Sequence, residues 1–259
     1  MALSSLTGWL AYKLRALDGG GVAGAVLVGT ALFGFGGIPG GAVLLLFFIS
    51  SSLLSRFQAA MKAPLADKFA KGHRRDLAQA LANGSAAAIA AALYALTETD
   101  WAWTAVAGAL AAANADTWAT ELGVLSSRQP RLITSGRSVS IGVSGGITAS
   151  GSLAALAGAA SIAGMAGWLR PGGTPVLLFA VGTIGGLAGA MFDSLLGASV
   201  QAIYWCDGCG KETERHPRHR CGQPTRRLRG WVWLHNDWVN FFATLLGAVL
   251  AAGAFSALA

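Results

Sequence analysis

Three carboxylates interrupt stretches of sequence that are otherwise apolar. Asp116 and Glu121 lie in Ala115-Asp116-Thr117-Trp118-Ala119-Thr120-Glu121-Leu122-Gly123, and Asp193 lies in Phe192-Asp193-Ser194-Leu195-Leu196-Gly197. A charge placed inside a bilayer is costly and marks a site or a partner. Amides accompany these acids: Asn83, then Asn236 and Asn240 flanking Asp237. Clustered carboxylates call for a cation. Mg²⁺ is the usual one when the substrate is a phosphate, because one or two carboxylates plus phosphate oxygens complete its shell. Protons or Na⁺ would serve a transporter instead.

Helical spacing sorts these groups by face. Asn114, Thr117 and Glu121 share one face, at i, i+3 and i+7, and Asp116 and Thr120 share another at i+4. Asp116 and Glu121 stand about 140° apart at ~100° per residue, so a straight helix does not aim both at one ion. Gly182, Gly186, Gly189, Asp193 and Gly197 form a narrow stripe of small residues. Such a stripe admits a neighbouring backbone and carries Asp193 into a bundle.

Two more groups complete the candidate chemistry. Ser135-Gly136-Arg137 is followed by Gly142-Val143-Ser144-Gly145-Gly146 and Thr148. Glycines ahead of a helix start expose backbone N–H groups to an anion, and Arg137 offers a charged fork. Candidate phosphate-binding residues are therefore Arg137, Gly142, Ser144, Gly145 and Gly146, with Asn83, Asn236 and Asn240 orienting a phosphate or a metal-bound water. Separately, Cys206-Asp-Gly-Cys209 precedes His216, His219 and Cys221, a donor set that suits a structural zinc. His219 is favoured over His216 because it neighbours Cys221.

The elements that must position these residues are membrane helices. The 259-residue chain is 54% hydrophobic and 12% charged, with a mean hydropathy of +0.54. Soluble domains carry about 25% charged residues, so a soluble enzyme, a secreted disulfide scaffold and a disordered chain are excluded. Apolar stretches long enough to cross a bilayer fall at 22–38, 40–55, 77–96, 101–124, 143–168, 174–203 and 236–258. The expected fold is an all-α integral membrane bundle of about seven transmembrane helices (six to seven), the first two short enough to form a re-entrant pair instead. Residues 1–17, with Leu3, Leu6, Leu10, Leu14 and Leu17 at helical spacing, read as an interfacial helix. Residues 18–259 form the polytopic domain, with 204–235 as a cytoplasmic Cys/His loop.

Charge sets the orientation. Of 19 basic residues only Arg170 falls on the opposite side from Lys13, Arg15, Arg56, Lys62, Lys68, Lys71, Arg74, Arg75 and the later loop arginines. By the positive-inside rule the protein sits in the cell membrane with its N-terminus cytoplasmic and its C-terminus outside. All three acids then lie in the cytoplasmic half. The net charge of +7 needs no nucleic-acid partner.

Five motifs together resemble a known integral-membrane family. They are Asp116-Thr117-Trp118-Ala119-Thr120-Glu121, Pro130-Arg131-Leu132-Ile133-Thr134, Gly142-Val143-Ser144-Gly145-Gly146, Asp193-Ser194-Leu195-Leu196-Gly197-Ala198 and Asn236-Asp237-Trp238-Val239-Asn240. The family includes plant phytyl-phosphate kinase and animal transmembrane protein 19, and the likeness runs from about residue 18 to the end. The Asp-Thr-x-Ala pattern with its following glycines is also similar to the CTP-dependent polyprenol kinases. The resemblance implies phosphoryl transfer from a nucleoside triphosphate, CTP or ATP, to an isoprenoid phosphate lipid such as phytyl or geranylgeranyl phosphate. On that reading Asp116, Glu121 and Asp193 hold Mg²⁺. Cys206, Cys209, His219 and Cys221 hold structural zinc, a variable feature of the family without a catalytic role. The competing readings are an ion-coupled transporter of a small or lipid-like substrate, and a silent scaffold.

Overall fold

The computed structural model describes residues 1–62, 68, 74–170 and 174–259; Lys71 lies outside the described residues. Its helices are α1 (Ala2–Lys13), α2 (Gly19–Phe35), α3 (Gly37–Arg56), the single turn α4 (Ala59–Lys62), α5 (Leu77–Thr97), α6 (Asp100–Gly123), α7 (Ala149–Trp168), α8 (Pro175–Ser199) and α9 (Asn236–Leu258). Five strands are short: β1 (Arg131–Leu132), β2 (Gly146–Ile147), β3 (Ile203–Cys206), β4 (Lys211–Thr213) and β5 (Arg226–Arg229).

The protein is a multi-pass membrane helix bundle. Among the described residues five helices, α3, α5, α7, α8 and α9, are long and apolar enough to cross a bilayer. Two of the seven expected spans depart from that standard for different reasons. Helix α2 is apolar but has 17 residues, about 26 Å at 1.5 Å per residue, short of the ~30 Å hydrocarbon thickness. Helix α6 has 24 residues, and every one from Ala102 to Ala115 is buried. It touches protein on all sides, packing against α3, α5, α7, α8 and α9, so it has no need of a lipid-facing apolar surface.

Small residues make that central position possible. A Cβ on Gly186 of α8 would stand 2.5 Å from the Ala111 Cβ on α6, so the stripe on α8 is seated directly on the alanine-rich face of α6. Two boundaries shift from expectation. Helix α7 begins at Ala149 rather than 143, where Thr148 accepts a 3.0 Å hydrogen bond from the Gly151 N–H and caps the helix. Residues 143–147 instead form a turn and β2, paired antiparallel with β1. Helix α8 stops at Ser199 rather than 203, and Ile203 opens a three-stranded antiparallel sheet in the order β4-β3-β5.

Contacts define the two ends of the bundle. At one end the α2 start meets the α5 start through Leu17 and Arg75. The Arg56 guanidinium at the end of α3 donates to the Leu14 carbonyl there. At the other end Arg170 pairs with Asp100 at 2.8 Å and stacks on Tyr94. The α6, α7, α8 and α9 termini that carry the candidate residues all lie at the first, basic end. Helix α1 packs lengthwise on α2, with Ser4 beside Gly29 and Gly8 beside Val22.

Candidate functional site

A cavity of about 240 Å³ opens among the ends of α6 and α8, the start of α7 and the glycine-rich turn. Asp116, Glu121, Asp193, Gly142, Ser144, Gly145, Gly146 and Asn236 all line it. So does Glu214, which follows β4. No lysine or arginine is among the described lining residues. The Asp193 Oδ2 atom is enclosed and accepts no hydrogen bond among the described residues. An ionised oxygen buried without a donor is costly, and this orphaned acceptor is what a hard cation would satisfy.

Glu214 reaches the cavity by a long route. Its Oε1 accepts from Gln201 Nε2 at 3.0 Å and from Ser144 Oγ at 3.2 Å. Its backbone N–H donates to the Lys68 carbonyl at 2.8 Å. Three segments far apart in sequence thus meet at one residue, two of them on its carboxylate. Lys68 also donates through Nζ to the Ile141 carbonyl at 2.5 Å, beside the glycine turn. Burial draws the Lys68 pKa below the usual lysine range, opposed by the nearby Glu212 carboxylate.

The glycine turn is built for close approach. Gly145 has φ +81°, and a Cβ there would lie 2.4 Å from the Ala198 Cβ on α8. The backbone N–H groups of Gly142 and Ser144 make no hydrogen bond among the described residues. They sit ahead of the α7 N-terminus, where Thr148, Gly151 and Ser152 continue the cavity wall. The same cavity is thus lined by the acids and by a glycine turn ahead of a helix N-terminus, the positive end of its dipole.

Glu121 differs from the other acids. Its Oε1 accepts from Ser55 Oγ at 2.6 Å and its Oε2 pairs with Lys62 Nζ at 2.6 Å. The same face of α6 carries Asn114, fully buried, which accepts from Ser50 Oγ and donates to the Gly158 carbonyl at 2.9 Å. This face of α6 is therefore bonded to α3 and α7, while Asp116 lines the cavity beside Asp193.

Cys206, Cys209, His219 and Cys221 form a second cluster, with ligand atoms all within 4.8 Å of one another. Cys206 Sγ to Cys221 Sγ is 3.6 Å, and His219 Nδ1 to Cys221 Sγ is 3.2 Å. A tetrahedron with Zn–S bonds of 2.3 Å has edges of about 3.8 Å, so the set is compatible with zinc. His216 is occupied elsewhere, stacked on Tyr204 at 4.4 Å between ring centroids. The Gln223 backbone N–H and the His219 ring bring the Cys221 thiol down to about 6, while its hydrogen bonding with Cys221 pushes Cys209 up to about 11. The cluster ties the β3–β4 turn to the 219–221 turn, and β4 leads directly into Glu214.

With the geometry established, the comparisons are informative. Residues 2–248 match the family described as Integral membrane protein DUF92. The chain belongs to that family. It is 33% identical to Protein PGR of Arabidopsis thaliana over 96% of this chain and 92% of that protein. It is 40% identical to an uncharacterized membrane protein of Methanocaldococcus jannaschii over 72% of this chain and 75% of that one. No solved structure matches it.

Three residues expected at the site lie elsewhere. Arg137 is exposed on the return arm of a tight hairpin, across from Leu132 of β1, and the preceding Gly136 has φ +68°; nearness in sequence to the acids does not survive the reversal of the chain. Asn83 lines a separate apolar recess, where its Nδ2 donates to the Gln79 carbonyl at 3.1 Å. Asn240 is one helical turn beyond Asn236 and falls outside the cavity lining. Conversely, the cavity includes Glu214 and Gln201, which the sequence does not single out: Glu214 stands in a charged segment, and Gln201 is a lone amide near the end of the apolar stretch 174–203.

Proposed function

We propose that this protein is a membrane-embedded phosphotransferase. It moves the γ-phosphoryl group of a nucleoside triphosphate, CTP or ATP, onto an isoprenoid monophosphate and yields the diphosphate. The observation that carries this reading is the convergence of Asp116, Asp193 and Glu214 on one cavity that is also lined by Gly142 and Ser144, whose N–H groups are uncommitted among the described residues. Acids and anion-binding donors in one cavity suit a metal–triphosphate complex better than either group alone.

Asp116, Asp193 and Glu214 would hold Mg²⁺, which when bound neutralises the β- and γ-phosphate oxygens. The glycine turn and the α7 N-terminus receive the remaining phosphate charge. Asn236 orients a phosphate oxygen through its amide. The acceptor oxygen belongs to a phosphate monoester, largely ionised at neutral pH with its second pKa near 6, so attack requires no protein base. One bond forms from that oxygen to the γ-phosphorus, the bond to the β,γ-bridging oxygen breaks, and the nucleoside diphosphate leaves with the electron pair. Catalysis is then positioning and charge neutralisation. Glu121 serves differently, bracing α6 against α3 and the Lys62 ammonium.

The basic end of the bundle faces the cytoplasm on this reading, following the positive-inside rule, and this places the cavity where nucleotide is available. The zinc cluster is structural and fixes the strand that delivers Glu214. The test is direct: purified protein, Mg²⁺, γ-labelled CTP or ATP, and C15 to C20 prenyl phosphates. Label should pass to the prenyl diphosphate. If no prenyl phosphate accepts label from either nucleotide, the reading is wrong.

A further inference from the structure

The recess that holds Asn83 lies among α1, α2, α3 and α5, apart from the acidic cavity. Its walls are apolar, with Val28, Phe33, Leu44 and Phe47 among them, and α1 closes one side through Gly8 and Ala11. Its polar groups are few: Thr7 on α1, then Arg75, Gln79 and Asn83 along the start of α5.

Arg75 is an unusual cation. Its guanidinium donates to Ser52 Oγ at 3.1 Å and Ser51 Oγ at 2.9 Å, and it lies over the Phe47 and Phe48 rings at 5.7 and 5.5 Å. It has no carboxylate partner among the described residues, whereas Lys62 pairs with Glu121 and Arg170 with Asp100. Hydroxyls and aromatic faces solvate a guanidinium without neutralising it, and the group stays charged in proteins. Burial lowers the Arg75 pKa, opposed by the nearby Glu121 carboxylate.

An apolar recess ending at a guanidinium that no carboxylate bonds directly among the described residues matches the chemistry of an anionic lipid. We propose that this recess, about 70 Å³ in volume, seats the phosphate-proximal part of an isoprenoid phosphate, with the phosphate against Arg75 and the rest of the tail in the adjoining lipid. The isoprenoid class rests on the function proposed above; the anionic headgroup and apolar tail rest on the recess itself. The route to the acidic cavity is short. Helix α3 presents Ser51 to Arg75 and, four residues on, Ser55 to Glu121, which edges that cavity. One helical turn, about 5.4 Å, separates the two contacts along α3. A headgroup held at Arg75 thus lies about one α3 turn from the Ser55–Glu121 contact at the edge of the acidic cavity.

The test is photolabelling in phosphatidylcholine nanodiscs without nucleotide, using geranylgeranyl phosphate with a diazirine on the isoprene unit nearest the phosphate. Label should map to the recess residues of α2 and α3, such as Val28, Leu44 and Phe47. Unlabelled geranylgeranyl phosphate should compete about tenfold better than geranylgeraniol, the effect of one charge-assisted contact, and inorganic phosphate should not compete. Arg75→Gln should erase the preference for phosphate over alcohol, and Ala25→Phe, which fills the recess, should suppress labelling. Label confined to lipid-facing residues such as Phe35, Ile49 and Leu53 overturns the proposal, as does equal competition by the alcohol in the wild-type chain. Competition by inorganic phosphate alone would mark an anion site without a tail, and also overturns it. If Arg75→Gln fails to fold, the wild-type map and competition still decide. Asp116→Asn should label like wild type while losing transfer, so a failed kinase assay with label in the recess refutes only the catalytic reading. Label elsewhere with active transfer refutes only the recess.

Discussion

Glu121 and Lys62, 59 residues apart in the chain, close a 2.6 Å ion pair with side chains only 17% and 5% exposed. The pair ties the turn after α3 to the cavity end of α6. Removing one partner of a buried pair strands the other charge, at a cost of about 3–5 kcal/mol. Lys62→Met and Glu121→Gln should each lower the melting temperature in detergent sharply, and the double substitution should recover much of the loss. If Glu121→Gln melts like wild type, the acid is not a brace.

The Cys/His cluster, if it holds zinc as proposed, predicts a split between neighbouring histidines. Purified protein should contain about one zinc per chain by elemental analysis. Cys206→Ser and His219→Ala should lose it, and His216→Ala should keep it, because His216 is stacked on Tyr204. A chain that retains zinc without His219 has a different fourth ligand.

The same cluster couples to the acidic cavity through β4. Stripping zinc with a chelator too weak to take Mg²⁺ should therefore reduce transfer in parallel with metal loss. Glu214→Gln should reproduce the activity loss by about 100-fold, in the range of one removed electrostatic contact, while leaving zinc content unchanged. Equal activity with and without zinc would separate the knuckle from the site.

The glycine turn offers a backbone test. Gly145→Ala forces a Cβ into Ala198 at a left-handed φ of +81°, whereas Gly136→Ala meets the same kind of φ with nothing within 4 Å. Left-handed strain alone costs about 1–3 kcal/mol. Gly145→Ala should melt well below Gly136→Ala, and its apparent nucleotide affinity should fall further.

Much of this arrangement is legible in the residues themselves. Acids within apolar stretches are conspicuous, so Asp116, Glu121 and Asp193 declare themselves before any fold is known. The different surroundings of Asp116 and Glu121 follow from a five-residue separation on one helix. Cys206, Cys209 and Cys221 are equally plain from spacing. Three things are hidden. Glu214 stands among other charges, and only the pairing of β4 with β3 brings it to the cavity. Arg137 has the right chemistry, but the hairpin turns it out to solvent. Arg75 reads as one more positive-inside charge, because its lack of a carboxylate partner is a property of the packed helices rather than of its neighbours in sequence.

The central claim is that Asp116, Asp193 and Glu214 jointly hold a divalent cation against triphosphate oxygens. Electron paramagnetic resonance of Mn²⁺ titrated into the zinc-loaded protein, with a non-hydrolysable nucleoside triphosphate, tests it most directly. The account predicts a nucleotide-dependent bound Mn²⁺ that is lost in Asp193→Asn and retained in Asp237→Asn. Mn²⁺ bound equally by wild type and Asp193→Asn would contradict it.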